Sequence, residues 1–300
     1  MKTAALVVAF LLVAGGFFAL GRFTASGVGS SSQATADVAS APAPAIQAPK
    51  TPQPPPPAPG QPPAIFGAQA DRPPPPPPPP PQYPVPPGTK PANDPSPSKG
   101  PATAKVIVLE VSDFQCPVCK RAYEPLRALA DDFPGQVRMV FKQNPLDMHR
   151  NAWNAAAASM AAARQGKFDA YADLLFQNQG SLDEASLTRF ALQVGLEPVK
   201  FNKDYLDMSV RARAKAEGNA ATQMGAAGTP SFFINGQMQV GWASYESIKQ
   251  MVQREIQLVD GLVAQGKSLK DARIERVKAN LADKAATFMA SPLATEFNQP

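Results

Sequence analysis

Cys116 and Cys119 are the only cysteines in a chain of 300 residues, and they form a single Cys-Pro-Val-Cys. Three chemistries suit such a pair. It could be half of a zinc site, but structural zinc takes four ligands. His149 is the one histidine in the chain, so carboxylates or a second copy would have to complete that shell. The two could be inert core thiols; the proline between them and their place at a strand-to-helix junction argue against it. The third chemistry is a redox pair, which the residues favour. No metal and no cofactor is expected.

A thiolate is the reactive species, and an ordinary cysteine is mostly protonated at neutral pH. Unpaired amides and the macrodipole at a helix N-terminus favour the anion. Spacing of three within the first turn puts both sulfurs on one side, close enough to bridge. Cys116, nearer the helix end, is the expected nucleophile, and Cys119 the thiol that resolves the mixed disulfide. Glu110 lies six residues before Cys116. Strand alternation could turn it inward beneath the pair, where burial would raise its pKa and let it pass a proton to or from Cys119. The alternative is a strand-end glutamate in solvent.

The elements that must hold these residues are legible. Lys105–Val111 is a β-branched apolar run suited to a buried strand. Pro117 suits a first helical turn, and Tyr123, Leu126 and Leu129 continue at helical spacing to about Ala130. Pro134-Gly135 is a turn, and Gln136–Lys142 alternates as a second strand. Helices are expected over Asn151–Gln165 and Phe168–Asn178. Another should open at the capping box Ser181–Glu184 and end near Gly195, and a single one should run from about Pro198 to Gln223. Ser231–Ile234 and Gln237–Val240 flank Asn235-Gly236, the strongest short hairpin signal. Helices follow from Ser244 to about Leu258 and from Ser268 to about Met289. The last carries Ile274, Val277, Leu281 and Phe288 in one stripe, suited to packing on its own domain or to self-association. The class is mixed α/β with a helical insertion.

With these elements in place, Val108–Lys120 (VLEVSDFQCPVCK) resembles the active-site region of DsbA-like thiol–disulfide oxidoreductases of the thioredoxin superfamily. Val140–Ala152 (VFKQNPLDMHRNA), the Lys167–Gln179 helix and Gly228–Gly236 (GTPSFFING) carry the resemblance on. It covers about residues 103–258. It implies a thioredoxin-like fold over 102–260, a helical subdomain at about 149–224 inserted between a β-α-β and a β-β-α half, and a C-terminal helical tail at 261–300. It also implies that Pro230 is a cis-proline facing the cysteines. Thr229 would then pair through its backbone with an extended substrate segment, alongside Pro117 and Val118. The best-known oxidases of this family carry Pro-His between the cysteines, where the histidine helps stabilise the thiolate. Val118 cannot do so, so a less depressed Cys116 pKa and a less oxidising couple are expected. His149, where relatives often have a histidine, is expected to be surface or structural.

Lys2 and the apolar run Ala4–Leu20, followed by small polar residues, have the order of an export signal. Whether as a cleaved peptide or an anchor within residues 1–27, it would send the remainder out of the cytoplasm, to the periplasm or cell envelope. Of 35 prolines, 27 lie between Pro42 and Pro101. Residues 28–101 are therefore expected to be a disordered spacer, its proline-rich part in polyproline II at about 3.1 Å per residue. The net charge of +5 is mild and no block of five basic residues occurs, which disfavours nucleic acid as a partner. Exported protein or peptide thiols, and a membrane redox partner, are the expected ones. Oxidase, isomerase and dedicated reductase stay open, as does a non-catalytic adaptor.

Overall fold

A computed structural model describes residues 83–298. The expected signal segment and most of the proline tract lie outside the described residues. Five strands form one sheet: β1 (Ser98–Lys99), β2 (Val106–Ser112), β3 (Val137–Gln143), β4 (Ser231–Ile234) and β5 (Gln237–Val240). Their order is β1-β3-β2-β4-β5, with β2 parallel to β3 and antiparallel to β4. All seven residues of β2 are buried, which is why this strand reads as a continuous apolar run rather than an alternating one.

The helices are α1 (Pro117–Asp132), α2 (Ala152–Ala163), α3 (Phe168–Gln177), α4 (Glu184–Gln193), α5 (Pro198–Tyr205), α6 (Met208–Met224), α7 (Tyr245–Ala264), α8 (Leu269–Leu281) and α9 (Ala285–Met289). Val106 and Val108 of β2 share a cluster with Leu126 and Leu129 of α1 and Ile248 and Val252 of α7. Ile107, Leu109 and Val111, on the opposite face, pack with Ala221 and Met224 of α6 and Val277 and Leu281 of α8. The inserted helices build a third cluster around Phe168, Tyr171 and Phe176, and both cysteines lie at its edge.

Asn235 and Gly236 have φ of 44° and 87°, the positive pair that a two-residue hairpin of this hand needs. A Cβ on Gly236 would also stand 3.0 Å from the Val277 Cα. Asn235 ties the turn to β2, its Oδ1 accepting from the Ile107 amide at 3.0 Å.

Five expectations are corrected. The helix expected from Pro198 to Gln223 is two helices, because the Asp207 carboxylate accepts from the Ser209 amide at 2.9 Å and caps a new start. The cap of α4 is Asp183 and not Ser181: its carboxylate accepts from Ser186 at 3.0 Å. The tail is not one helix, since the chain turns at Ala282 with φ of 49°. Its stripe packs on its own domain, with Val277 and Phe288 fully buried, and α7 runs past residue 260 to Ala264.

The spacer, finally, does not extend to residue 101, because residues 83–101 pack on the domain. Ser96 Oγ accepts from buried Lys142 and Arg213, each at 2.8 Å. The Pro97 carbonyl accepts from the Phe141 amide at 2.9 Å, and Asp94 pairs with Arg164 at 2.9 Å. Proline removes amide donors but leaves every carbonyl. This segment adds acceptors for buried cations of β3 and α6 that also pair with Glu217.

Candidate active site

β2 delivers the chain to the site, and a tight turn then aims it into α1. The Asp113 carboxylate builds that turn. It accepts from the Gln115 amide at 2.7 Å and the Leu146 amide at 2.9 Å, and it meets His149 Nδ1 at 2.7 Å. The Asp113 carbonyl takes the Cys116 amide at 3.1 Å. Gln179, just beyond α3, donates to the carbonyls of Phe114 and Cys116 at 2.8 Å each. Phe114 wedges between Phe141 and Phe176, with centroids 5.1 and 4.9 Å away. The loop before the first cysteine is thus held from three sides.

Cys116 is the N-cap of α1, with φ −73° and ψ 121°, and Pro117 occupies the first turn. Its carbonyl accepts the Lys120 amide at 3.2 Å, closing that turn over Cys119. Both thiols are free. Their environments differ: Cys116 is 5% exposed and Cys119 is 0% exposed. The Cys119 thiol, the Thr229 hydroxyl and the amides of Cys119 and Val118 all favour a Cys116 thiolate against the cost of burial, bringing its pKa down to about 5. Burial and the neighbouring Cys116 sulfur push Cys119 the other way, far above an ordinary thiol. The geometry yields one poised anion and one held proton, which thiol–disulfide exchange requires of an attacking and a resolving sulfur.

Pro230 follows a cis peptide bond from Thr229. The Thr229 carbonyl lies 3.4 Å from the Cys116 sulfur, so the two sequence-distant motifs meet there. Pro117 is exposed and Val118 is half-buried against the helical cluster, leaving the ground beside Cys116 open on the Pro117 side. Glu110 is turned inward, 4% exposed, with its Oε1 buried and without a hydrogen-bond partner. Burial raises its pKa to about 7, opposed by Ser112 and Arg127. It lines a cavity of about 40 Å³ with Tyr123, Arg127, Phe168 and Asp169. His149 is half-buried and anchors Asp113.

Sequence reasoning missed Asp113 and Gln179, which set the loop. The signal for Asp113 was present: an aspartate two residues before an amide at a strand end is an Asx-turn. Gln179 carried none, because its contacts depend on tertiary packing. Among the described residues, no group of three His, Cys, Asp or Glu could hold a metal ion.

The family model described as thioredoxin matches residues 92–254. A solved thioredoxin-like oxidoreductase from Silicibacter pomeroyi DSS-3 superposes with a TM-score of 0.50 at 31% identity, covering 54% of this chain and 93% of that one. Wolbachia pipientis alpha-DsbA1 superposes with a TM-score of 0.50 at 18% identity, over 59% of this chain and 96% of that one, a likeness of fold. Na(+)/H(+) antiporter NhaA 3 of Salinispora tropica is 37% identical over 155 residues, which are 51% of this chain and 24% of the antiporter. The chain therefore spans about a quarter of that curated relative's length. Among the described residues, no helix is long and apolar enough to cross a membrane.

Proposed function

The chain belongs to the thioredoxin family as a DsbA-like member, and from that membership we propose that it forms or isomerises disulfides in exported proteins through Cys116 and Cys119. The observation that carries this is the asymmetry of the pair: a sulfur at a helix N-terminus beside the Thr229 carbonyl, favoured as thiolate, next to a fully buried thiol that keeps its proton.

The reaction then runs in two exchanges. The Cys116 sulfur forms a mixed disulfide with a substrate sulfur, and Cys119 resolves it or is regenerated by it, depending on direction. Thr229 presents backbone beside Cys116 to an extended substrate segment, with Pro117 and Val118 on the other side. Glu110 serves as the buried proton acceptor and donor for Cys119; its raised pKa supports this role near neutral pH. Protein or peptide thiols are the substrates, and a membrane redox partner resets the pair.

The location rests on the amino-terminal signal. Residues 4–20 either anchor the chain in the inner membrane or are removed after export to the periplasm or envelope. The proline-rich residues between them and the folded domain act as a spacer.

Equilibration of the full chain with glutathione redox buffers tests the reading, together with oxidative refolding of a reduced multi-disulfide substrate. The expected result is one two-electron couple and faster refolding, both lost in Cys116→Ser. A chain that exchanges with neither glutathione nor the substrate overturns the enzyme reading in favour of an adaptor. A second reading, a dedicated reductase, is favoured by Val118, which cannot support the thiolate as a histidine would. A potential near that of thioredoxin would establish it.

A further inference from the structure

We propose that the groove between α4 and α5 is the docking site of this chain's own proline run, Pro73–Pro81. The inference is independent of the redox reading above.

The groove is apolar and built in advance. Its cavity of about 410 Å³ is lined by the rings of Tyr83, Phe201 and Tyr205 together with Leu192 and Leu206, and a volume of that size is typical of ligand pockets. The rings form a ladder: Phe201 and Tyr205 stack 6.1 Å apart, and Tyr83 meets Tyr205 edge-on at 6.2 Å. The Tyr83 and Tyr205 hydroxyls both donate to Glu184 Oε1, at 2.8 and 2.9 Å. The Arg211 guanidinium lies over the same two rings, 4.7 and 5.3 Å from their centroids. These contacts fix the ladder before anything binds to it. Among the described residues nothing covers Leu192 and Leu206, which are 57% and 41% exposed.

The occupant follows from where the described chain begins. Tyr83, the first described residue, is itself part of the ladder, and the nine consecutive prolines end at Pro81, two residues before it. Two residues span at most about 7 Å, so covalent connection alone brings the run to the edge of the groove. Proline runs are extended at about 3.1 Å per residue, so this one reaches about 28 Å. With ten residues, α4 is about 15 Å long, and little more than half of the run is enough to follow it. The chemistry matches as well. Proline has no amide donor, so laying the run on apolar rings strands no N–H. Its carbonyls need donors, and the side-chain amide of exposed Asn202, which also lines the groove, is one. Aromatic-lined grooves are the general means of recognising polyproline II. With only Gln82 between the run and Tyr83, the local concentration of the run at the groove is of millimolar order. Docking withdraws the run from the spacer and shortens the reach of the domain by up to about 28 Å.

The test compares the full chain with a copy in which Pro73–Pro81 are replaced by the same number of Gly and Ser residues. The probe is a fluorescein-labelled peptide of nine prolines, followed by anisotropy. The replaced chain, whose groove the run no longer covers, is expected to bind the peptide saturably. The natural chain should bind it at least about tenfold more weakly, the effect of a millimolar internal competitor on a peptide with a Kd of about 0.1 mM. Leu192→Glu in the replaced chain should abolish binding by placing a charge beside the rings; Leu192 is exposed, so the urea midpoint should stay unchanged. No saturable binding to the replaced chain would overturn the proposal. Equal binding by the two chains would also overturn it, since the groove would then stand open to a partner's proline segment. Binding that survives Leu192→Glu would place the peptide elsewhere, with the same consequence. A natural chain that dimerises in sedimentation, and reverts to monomer on replacement of the run, would seat the run on a second copy and overturn docking within one chain.

Discussion

The Cys116 sulfur stands 3.4 Å from the carbonyl oxygen of Thr229, across the groove between the start of α1 and the loop before β4. Residues 113 apart in the chain therefore share one reactive atom. The sheet makes this possible: β2 leads into Cys116, and β4, its antiparallel neighbour, begins just after Pro230.

The Thr229 hydroxyl, buried and without a hydrogen bond of ordinary length, is oriented to favour the Cys116 thiolate, after the larger effect of the Cys119 thiol. Thr229→Val keeps the shape and removes the donor. The Cys116 pKa should therefore rise in this variant. Cys119→Ala should raise it further. Iodoacetamide alkylation of Cys116 as a function of pH reads this directly. A midpoint that stays near 5 in Thr229→Val would assign the thiolate to the helix terminus and Cys119 alone.

Val118 is expected to set the strength of the couple. A Cys116 pKa of about 5 lies between about 3.5 for a strong oxidase and about 7 for thioredoxin. The potential should accordingly fall between about −120 and −270 mV. Val118→His adds a donor beside the sulfur, and each pH unit by which it lowers the Cys116 pKa should raise the potential by about 30 mV. Glutathione titration measures both forms. An unchanged potential would mean that position 118 does not reach the thiolate in this chain.

Much of this arrangement was legible in the sequence, for physical reasons that differ from element to element. Cys116, Pro117 and the spacing of Tyr123, Leu126 and Leu129 announce a helix start because those residues answer to local geometry. Asn235-Gly236 announces a turn because few other pairs tolerate its φ values. Glu110 is inward because both faces of β2 are covered, which its continuous apolar run announces. What stayed hidden depends on distant partners. Residues 83–101 look like a spacer by composition, but Lys142, Arg213 and Arg164 need their acceptors. The break between α5 and α6 hides inside an unbroken helical pattern, because one capping aspartate decides it. His149 meets Asp113 across 36 residues.

Asp113 is expected to be the costliest polar side chain of the loop to lose. Asp113→Ala strips the acceptor from the Gln115 and Leu146 amides and from His149 at once. At about 1–3 kcal/mol for each buried group left unpaired, partly offset by relaxation, the loss should be about 2–4 kcal/mol in urea denaturation. His149→Ala, which vacates one of those three contacts at a half-buried ring, should cost about 1 kcal/mol. Equal losses in the two variants would mean that the histidine contact, rather than the Asx-turn, holds the loop.

Glu110 makes the stability of the domain depend on pH in a direction that can be worked out. Burial raises its pKa from 4.5 to about 7, so folding favours the protonated form. Its contribution is fully present below about pH 4.5, where folded and unfolded chains are both protonated. It is lost as pH rises through about 7, because the unfolded chain ionises first. The loss amounts to about 3 kcal/mol by pH 8. Glu110→Gln cannot ionise, so the variant should gain about that much on the natural residue between pH 4 and pH 8. The comparison belongs in a Cys116→Ser, Cys119→Ser background, where no thiol titrates. Stability curves that run parallel across this range would mean that the carboxyl ionises as freely in the folded domain as outside it, and Glu110 would then have no proton to hold for Cys119 at neutral pH.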